Sequence, residues 1–299
     1  MMRTLDKNTP VLLALGYFDS LHVGHREVIK RAKSEAEKLN LYLVVFTFGG
    51  NLRAATTGEE QKFIYNAKER EKLMLSLGVD EVYFAPVDKD FLSLTKDEFL
   101  EKINALYNIK GYVSGSDYRF GKGASGNVEH LREYAERNGQ KVVTVEEILF
   151  DGKKASTTWV KQLLYSGKIE MANALLGANF FIKGRVVKDR GVGKKLGFPT
   201  ANITLQKERQ PLKNGVYKGR VIVDDTERLA VINYGARPTF NQDNIVLEAH
   251  ILDFEGNLYD KEITVIFDGF IREIITFKSE EELKLQLKKD VENVKKYYD

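Results

Sequence analysis

His22 and His25 stand three residues apart in Gly16-Tyr17-Phe18-Asp19-Ser20-Leu21-His22-Val23-Gly24-His25, and they are two of only four histidines in 299 residues. An apolar run, Val11–Leu15, precedes this segment, and a stretch rich in Arg, Lys, Glu and Ala, Arg26 to Leu39, follows it. The pair is therefore predicted at a strand-to-helix turn. There, backbone N–H groups and the positive end of a helix dipole face whatever anion lies above the sheet. Two imidazoles beside an anion site suit phosphate chemistry, with Gly16 and Gly24 where the backbone must turn tightly. Taken alone, the His-x-Gly-His spacing is also compatible with a chance turn.

Other segments carry chemistry of their own. Gly115-Ser116-Asp117-Tyr118-Arg119-Phe120-Gly121 follows another apolar run, and its Asp, Arg and two aromatic residues can stack a planar ring and hold an anion. Ser156, Thr157 and Thr158 precede an amphipathic stretch that carries Lys161; by themselves they need only cap its helix. Gly184, Gly191, Gly193 and Gly197 are interspersed with Lys and Arg, Lys195 among them. This pattern suits a cationic flap over a nucleotide's phosphates, and equally a surface loop. Beyond Pro199, Thr200 and Asn202 share a strand face, and their hydroxyl and amide oxygens suit a hard Mg²⁺ ion. Glu248 shares a face with Val246 and His250, where a lone Glu is commonly a solvated edge residue.

The elements that must position these residues fall into two groups. Apolar runs at 11–15, 41–48, 81–85, 111–114 and 142–145 alternate with helical stretches, which predicts a parallel sheet covered by helices. Such sheets bind ligands beyond the carboxyl ends of their strands, where the histidine turn lies. From Phe180 onward, short strands separated by Gly and Asn turns predict a small antiparallel barrel. Ser279 followed by three Glu, then Leu283, Leu287, Val291 and Val294, predicts a terminal helix. The expected organisation is α/β: a Rossmann-like domain over 1–168, a linker helix over 169–179 and a β-barrel domain over 180–299.

Composition narrows the function classes. The chain is 43% apolar and 30% charged, with no apolar stretch of membrane-spanning length. Its beginning lacks the apolar core and small-residue cleavage site of a secretory signal, so a cytoplasmic location is expected. The absence of cysteine excludes disulfides, thiolate zinc sites and cysteine nucleophiles. A net charge of +3 from 46 basic and 43 acidic residues, interspersed, points to small-molecule partners and to neither nucleic acid nor membrane.

The histidine segment resembles the Gly-x-Phe-Asp-Gly-x-His-x-Gly-His signature of nucleotidyltransferases in the form found in prokaryotic FAD synthetases. Gly115–Gly121 and Ser156–Lys161 are similar to that family's Gly-x-Asp-Phe-Arg-Phe-Gly and Ser-Ser-Thr-x-Ile-Arg segments. Leu196-Gly197-Phe198-Pro199-Thr200-Ala201-Asn202 resembles the signature of riboflavin kinases, supported by Asn214–Tyr217, Asn233–Phe240 and Leu247–His250. The resemblance implies riboflavin phosphorylation to FMN by the back domain and adenylylation of FMN to FAD by the front one, each with ATP and Mg²⁺. In the front domain, His22 and His25 would stabilise developing phosphate charge. Gly16, Phe18, Asp19, Gly24, Ser156, Thr157, Thr158 and Lys161 would bind ATP, and Asp117, Tyr118, Arg119 and Phe120 the flavin. In the back domain, Gly184, Gly191, Gly193, Lys195, Gly197, Pro199, Thr200 and Asn202 would bind ATP, Thr200 and Asn202 also the metal. Glu248 would be the general base and Arg272 a flavin contact.

Three positions depart from the pattern. Ser20 replaces a usual Gly, Thr47-Phe48-Gly49-Gly50-Asn51 stands where Thr-Phe-x-Pro-His-Pro is usual, so that Gly50 or Asn51 takes the place of its histidine, and Lys161 replaces an Arg, losing its bidentate fork. They define one alternative, a riboflavin kinase with a weak or inactive front domain. A second is a non-catalytic, flavin-responsive regulatory protein.

Overall fold

Apolar residues on both faces of the first strand decide the architecture of the N-terminal half. In the computed structural model, which describes residues 5–188, 193, 196–236 and 245–299, β1 (Pro10–Leu15) buries Val11, Leu13 and Leu15 in one core and Leu12 and Ala14 in another. A strand covered on both faces belongs in a parallel sheet between helices. The chain continues through α1 (Val23–Lys38), β2 (Tyr42–Phe48), α2 (Leu52–Thr57), α3 (Ala67–Ser76), β3 (Glu81–Ala85), α4 (Lys89–Leu92), α5 (Lys96–Leu106), β4 (Asn108–Gly115), α6 (Val128–Arg137) and β5 (Lys141–Val145). A short hairpin follows, β6 (Leu149–Phe150) and β7 (Lys153–Lys154).

The first five strands pair in parallel in the order β3-β2-β1-β4-β5. α1 seals one face with Val28, Ile29, Ala32 and Ala36, and α5 seals the other with Phe99, Leu100 and Ile103. Successive connections leave β1 in opposite directions across the sheet, so the crevice lies beyond the carboxyl ends of β1 and β4. Gly16 and Gly115 mark those ends.

The chain divides into two compact units, Met1–Thr157 and Thr158–Asp299. The second contains most of α7 (Thr157–Tyr165), then α8 (Ile169–Leu176), β8 (Phe180–Val187), β9 (Ala201–Ile203), β10 (Gly215–Val223), β11 (Thr226–Ala236), β12 (Ile245–Ile251), β13 (Glu262–Arg272) and α9 (Glu280–Tyr298). Its six strands close into an antiparallel barrel, β10-β11-β12-β9-β8-β13. Ser279 caps α9 by accepting from the Glu282 N–H at 3.2 Å, and Val294 packs with Val216 and Val231 of the barrel.

Sheet, barrel and terminal helix are those the alternation predicts. β11 begins at Thr226, because Asp224 and Asp225, at φ 46° and 61°, make a two-residue hairpin that pairs Val223 with Thr226. α2, α4 and the β6/β7 hairpin are too short to show a period, and sequence reading missed them. No helix among the described residues is long and apolar enough to cross a membrane.

Candidate functional site

The turn after β1 is held in an unfavourable backbone form. Phe18 and Leu21 adopt φ of 45° and 51°, left-handed values that bulky residues avoid, and both side chains are fully buried. The Phe18 ring lies against Gly16, where an added Cβ would come within 2.6 Å of it. Core packing of Phe18 and Leu21 thus fixes the path that delivers the histidines.

His22 caps α1. Its Nδ1 accepts from the N–H groups of Gly24 at 3.1 Å and His25 at 3.3 Å, so its own proton rests on Nε2. Two of the amides expected to face an anion are thereby engaged in the free protein. The His25 ring stacks on His22 at 3.8 Å with an interplanar angle of 15°, and meets the Phe18 ring edge-on at 5.4 Å. Burial, then the neighbouring His25, pushes His22 down to about 3; burial, against a smaller opposing pull from Asp117, pushes His25 down to about 4. Both imidazoles are therefore neutral near pH 7, offering ring N–H groups rather than positive charge. His25 Nδ1 is buried without a hydrogen-bond partner.

Asp19 does not line the cavity directly. Its Oδ1 accepts the Thr157 hydroxyl proton, and Thr157 Oγ1 lies 2.8 Å from Ser20 Oγ. With its proton committed to Asp19, Thr157 accepts from Ser20. The serine that departs from the family pattern is completely buried and continues this chain.

These groups open on a cavity of about 400 Å³. Gly16, Phe18, His22, Gly24 and His25 form one side, and Phe48 and Leu52 another. Asp117, Tyr118 and Arg119 enter from the loop after β4, and Ser156 and Thr157 from the start of α7. Phe120 corrects the expectation of a flavin contact: it is 5% exposed and packs in the core, its ring 5.2 Å from Phe99. It supports Tyr118, stacked on it at 5.7 Å. Lys161 lies one turn after Thr157 on α7; both it and Thr158 belong to the second unit. Asn51, at the position of the usual Pro-His-Pro, caps α2 by accepting from Ala54 N–H at 3.1 Å and donates to the Gln61 carbonyl at 3.0 Å.

Sequence reading missed Lys154 and Arg70. Lys154 Nζ lines the cavity and pairs with Asp117 at 2.7 Å and with Glu147, which together push its ammonium pKa up. The opposed charges of Glu146-Glu147 and Lys153-Lys154, flanking Asp151-Gly152, were the available hairpin signal.

In the barrel, Glu248 on β12 lies directly across from Asn202 on β9 and from Asn233 on β11. Opposed residues of antiparallel strands share a face, so the register sets a carboxylate between two amides. His250, two residues on, bonds through Nδ1 to the Pro199 carbonyl at 2.9 Å and packs against Phe198 at 5.4 Å. A carbonyl only accepts, so His250 donates and pins the segment that leads into Thr200 and Asn202. A cavity of about 320 Å³ adjoins Gly193, Thr200, Asn233 and Glu248, with an apolar side made by Ile274, Ile275, Leu283 and Leu287.

Gly184 sits where β8 meets the end of β9: a Cβ there would come within 2.4 Å of the Thr204 carbonyl. Gly197 takes φ 85°, and Pro199 is exposed. Gly191 and Lys195 lie outside the described residues. Arg272 lines the same cavity, and its Nε and Nη2 bind Asp290 of α9 at 2.7–3.2 Å, so part of its fork is engaged in docking that helix.

Among the described residues, no group of three or more His, Cys, Asp or Glu is arranged to hold a metal. A metal in the barrel would depend on the neutral oxygens of Thr200 and Asn202 beside the Glu248 carboxylate. That hard donor set fits Mg²⁺.

A doubly wound nucleotide-type sheet followed by a closed barrel, each with its own cavity, defines a two-module transferase. An FAD synthetase family model matches residues 4–159, and a riboflavin kinase model matches residues 176–298. A bifunctional riboflavin kinase/FMN adenylyltransferase of Buchnera aphidicola subsp. Schizaphis graminum is 32% identical, covering 99% of this chain and 96% of that relative. One from Haemophilus influenzae is 33% identical, covering 96% and 94%. A crystal structure of a macrolide-efflux protein from Streptococcus pneumoniae superposes with a TM-score of 0.90 at 31% identity, covering 98% of this chain and 96% of that one. The chain belongs to the bifunctional riboflavin kinase/FMN adenylyltransferase family.

Proposed function

We propose that the barrel phosphorylates riboflavin with ATP to give FMN, and that the parallel-sheet unit adenylylates FMN with a second ATP to give FAD and pyrophosphate. The observation that carries this reading is the presence in one chain of both family matches, each containing its own cavity. The pair of matches favours neither the single-activity alternative nor the regulatory one. We assign adenylyl transfer to residues 1–168, kinase activity to 180–299 and the connection to 169–179. A cytoplasmic location and small-molecule partners alone complete the reading.

In the barrel, Glu248 takes the proton of the ribityl 5′-hydroxyl as its oxygen attacks the γ-phosphorus of ATP, and the bond to ADP breaks. Gly193, Gly197, Thr200 and Asn202 position the nucleotide, with Gly191 and Lys195 assigned to the same ligand. Thr200 and Asn202 would hold Mg²⁺, which when bound neutralises charge on the nucleotide's phosphate oxygens. The apolar side of the cavity takes the isoalloxazine ring, and α9, tied down through Arg272, forms part of that side.

In the first unit, an FMN phosphate oxygen attacks the α-phosphorus of ATP and the bond to pyrophosphate breaks. No covalent enzyme intermediate is needed, so alignment and charge stabilisation carry the catalysis. His22 donates through Nε2–H to the transferring phosphate, and His25, stacked on it, contributes its own ring N–H. Ser156 and Thr157 bind the leaving phosphates, while Asp117, Tyr118 and Arg119 bind the flavin. Purified protein with Mg²⁺-ATP should convert riboflavin to FMN and FMN to FAD. Products resolved by chromatography test this, and FMN without FAD would contradict the bifunctional reading.

A further inference from the structure

Arg70, on the first turn of α3, is 4% exposed, and its partners are two backbone carbonyls rather than a carboxylate. Nη1 donates to the Tyr17 carbonyl at 2.9 Å and Nη2 to the Phe48 carbonyl at 2.6 Å. Thr47 Oγ1 donates to the same Tyr17 carbonyl at 2.7 Å, and the guanidinium lies over the Tyr17 and Phe84 rings at 5.7 and 5.4 Å. A capping box between Asn66 and Glu69 fixes the helix end that carries it.

Tyr17 and Phe48 both line the cavity, just beyond β1 and at the end of its neighbour β2, and the Tyr17 hydroxyl also donates to the Gly50 carbonyl at 3.3 Å. Tyr17 immediately precedes Phe18, whose φ of 45° sets the path to the histidines, and Phe48 immediately precedes Gly49-Gly50. Two glycines give that loop no stiffness of its own. We propose that Arg70 is a positioning residue for adenylyl transfer: its planar fork ties the histidine turn to the start of the glycine loop and fixes the two segments relative to each other. A lysine cannot span both carbonyls in this way. The guanidinium has a second effect through charge. It is a fixed cation near His25, which also faces His22 from its own turn and Asp117 from the loop after β4, and it helps keep His25 unprotonated.

The inference rests on adenylyl transfer taking place in this cavity. The test uses the full chain with Arg70→Met and Arg70→Lys, measuring FAD formation from FMN over a range of pH, with FMN formation from riboflavin as the internal control. Arg70→Met should lower kcat for FAD roughly a hundred-fold, as a small misplacement of reacting groups does, with less change in KM and FMN formation intact. Its kcat/KM profile should show the acid limb moved to higher pH, because a charge opposing His25 protonation is gone. Arg70→Lys should restore the acid limb but not kcat. An unchanged kcat in Arg70→Met, a fall in kcat with the acid limb unmoved, or full recovery in Arg70→Lys would overturn the proposal. Wild-type protein that makes no FAD would instead overturn the reading of the cavity itself.

Discussion

Ser20 Oγ lies 2.8 Å from Thr157 Oγ1, and because Thr157 gives its proton to Asp19, Ser20 is the donor of the pair. The contact joins the first turn of the sheet unit to its last residue. Ser20→Ala leaves a buried hydroxyl oxygen without its donor, and the expected cost is about 1 kcal/mol of stability. FAD formation should slow while FMN formation is unchanged. Thermal unfolding and the two separate assays check this; wild-type FAD formation in Ser20→Ala would show that the chain does not serve the site.

The buried histidines make stability depend on pH. Their folded values of about 3 and about 4 lie below the ordinary imidazole value of about 6.5, so in mildly acid solution the unfolded chain binds protons that the folded chain does not. The sign follows: stability falls as pH drops below about 6.5 and goes on falling until the folded values are reached. Between pH 7 and pH 5 the pair accounts for a loss on the order of 3 kcal/mol. Replacing both histidines by Asn should flatten that slope, which denaturant unfolding at the two pH values measures.

Arg272 and Asp290 form the buried tie between β13 and α9, with Asp290 fully buried and also bonded to Gln286 at 2.9 Å. Asp290→Asn leaves the guanidinium without its counter-charge, a change that costs about 3–5 kcal/mol for a buried pair. Because Leu283 and Leu287 of the same helix line the cavity, KM for riboflavin should rise more than kcat falls. Steady-state kinetics of FMN formation distinguishes this from a loss at the reacting atoms.

Residues that act through local pattern were legible in the sequence, and those that act across the fold were not. The histidine turn could be placed from Val11–Leu15 and the helix after it, since one period-breaking segment separates two periodic ones. Glu248 could be placed on a strand face, but its two Asn neighbours come from Asn202 and Asn233, whose register only barrel closure sets. Arg70 gave no signal, because a single Arg in an amphipathic helix reads as a solvated residue until Tyr17 and Phe48 are brought to it. Phe120 and Arg272 were assigned to ligands from their motifs. Core packing takes the first, and Asp290, eighteen residues away, engages the second.

On the proposed function, one chain holds two independent active sites acting in sequence. Riboflavin with Mg²⁺-ATP, followed by chromatography, tests it in wild type, Glu248→Gln and His22→Asn. Asn retains an acceptor for the α1 cap, so the last variant removes the imidazole chemistry with little change to the helix. Wild type should yield FMN and then FAD. Glu248→Gln should make FMN about a hundred-fold more slowly or worse, yet convert added FMN to FAD at the wild-type rate. His22→Asn should stop at FMN. FAD from His22→Asn at the wild-type rate, or undiminished FMN from Glu248→Gln, would contradict the account.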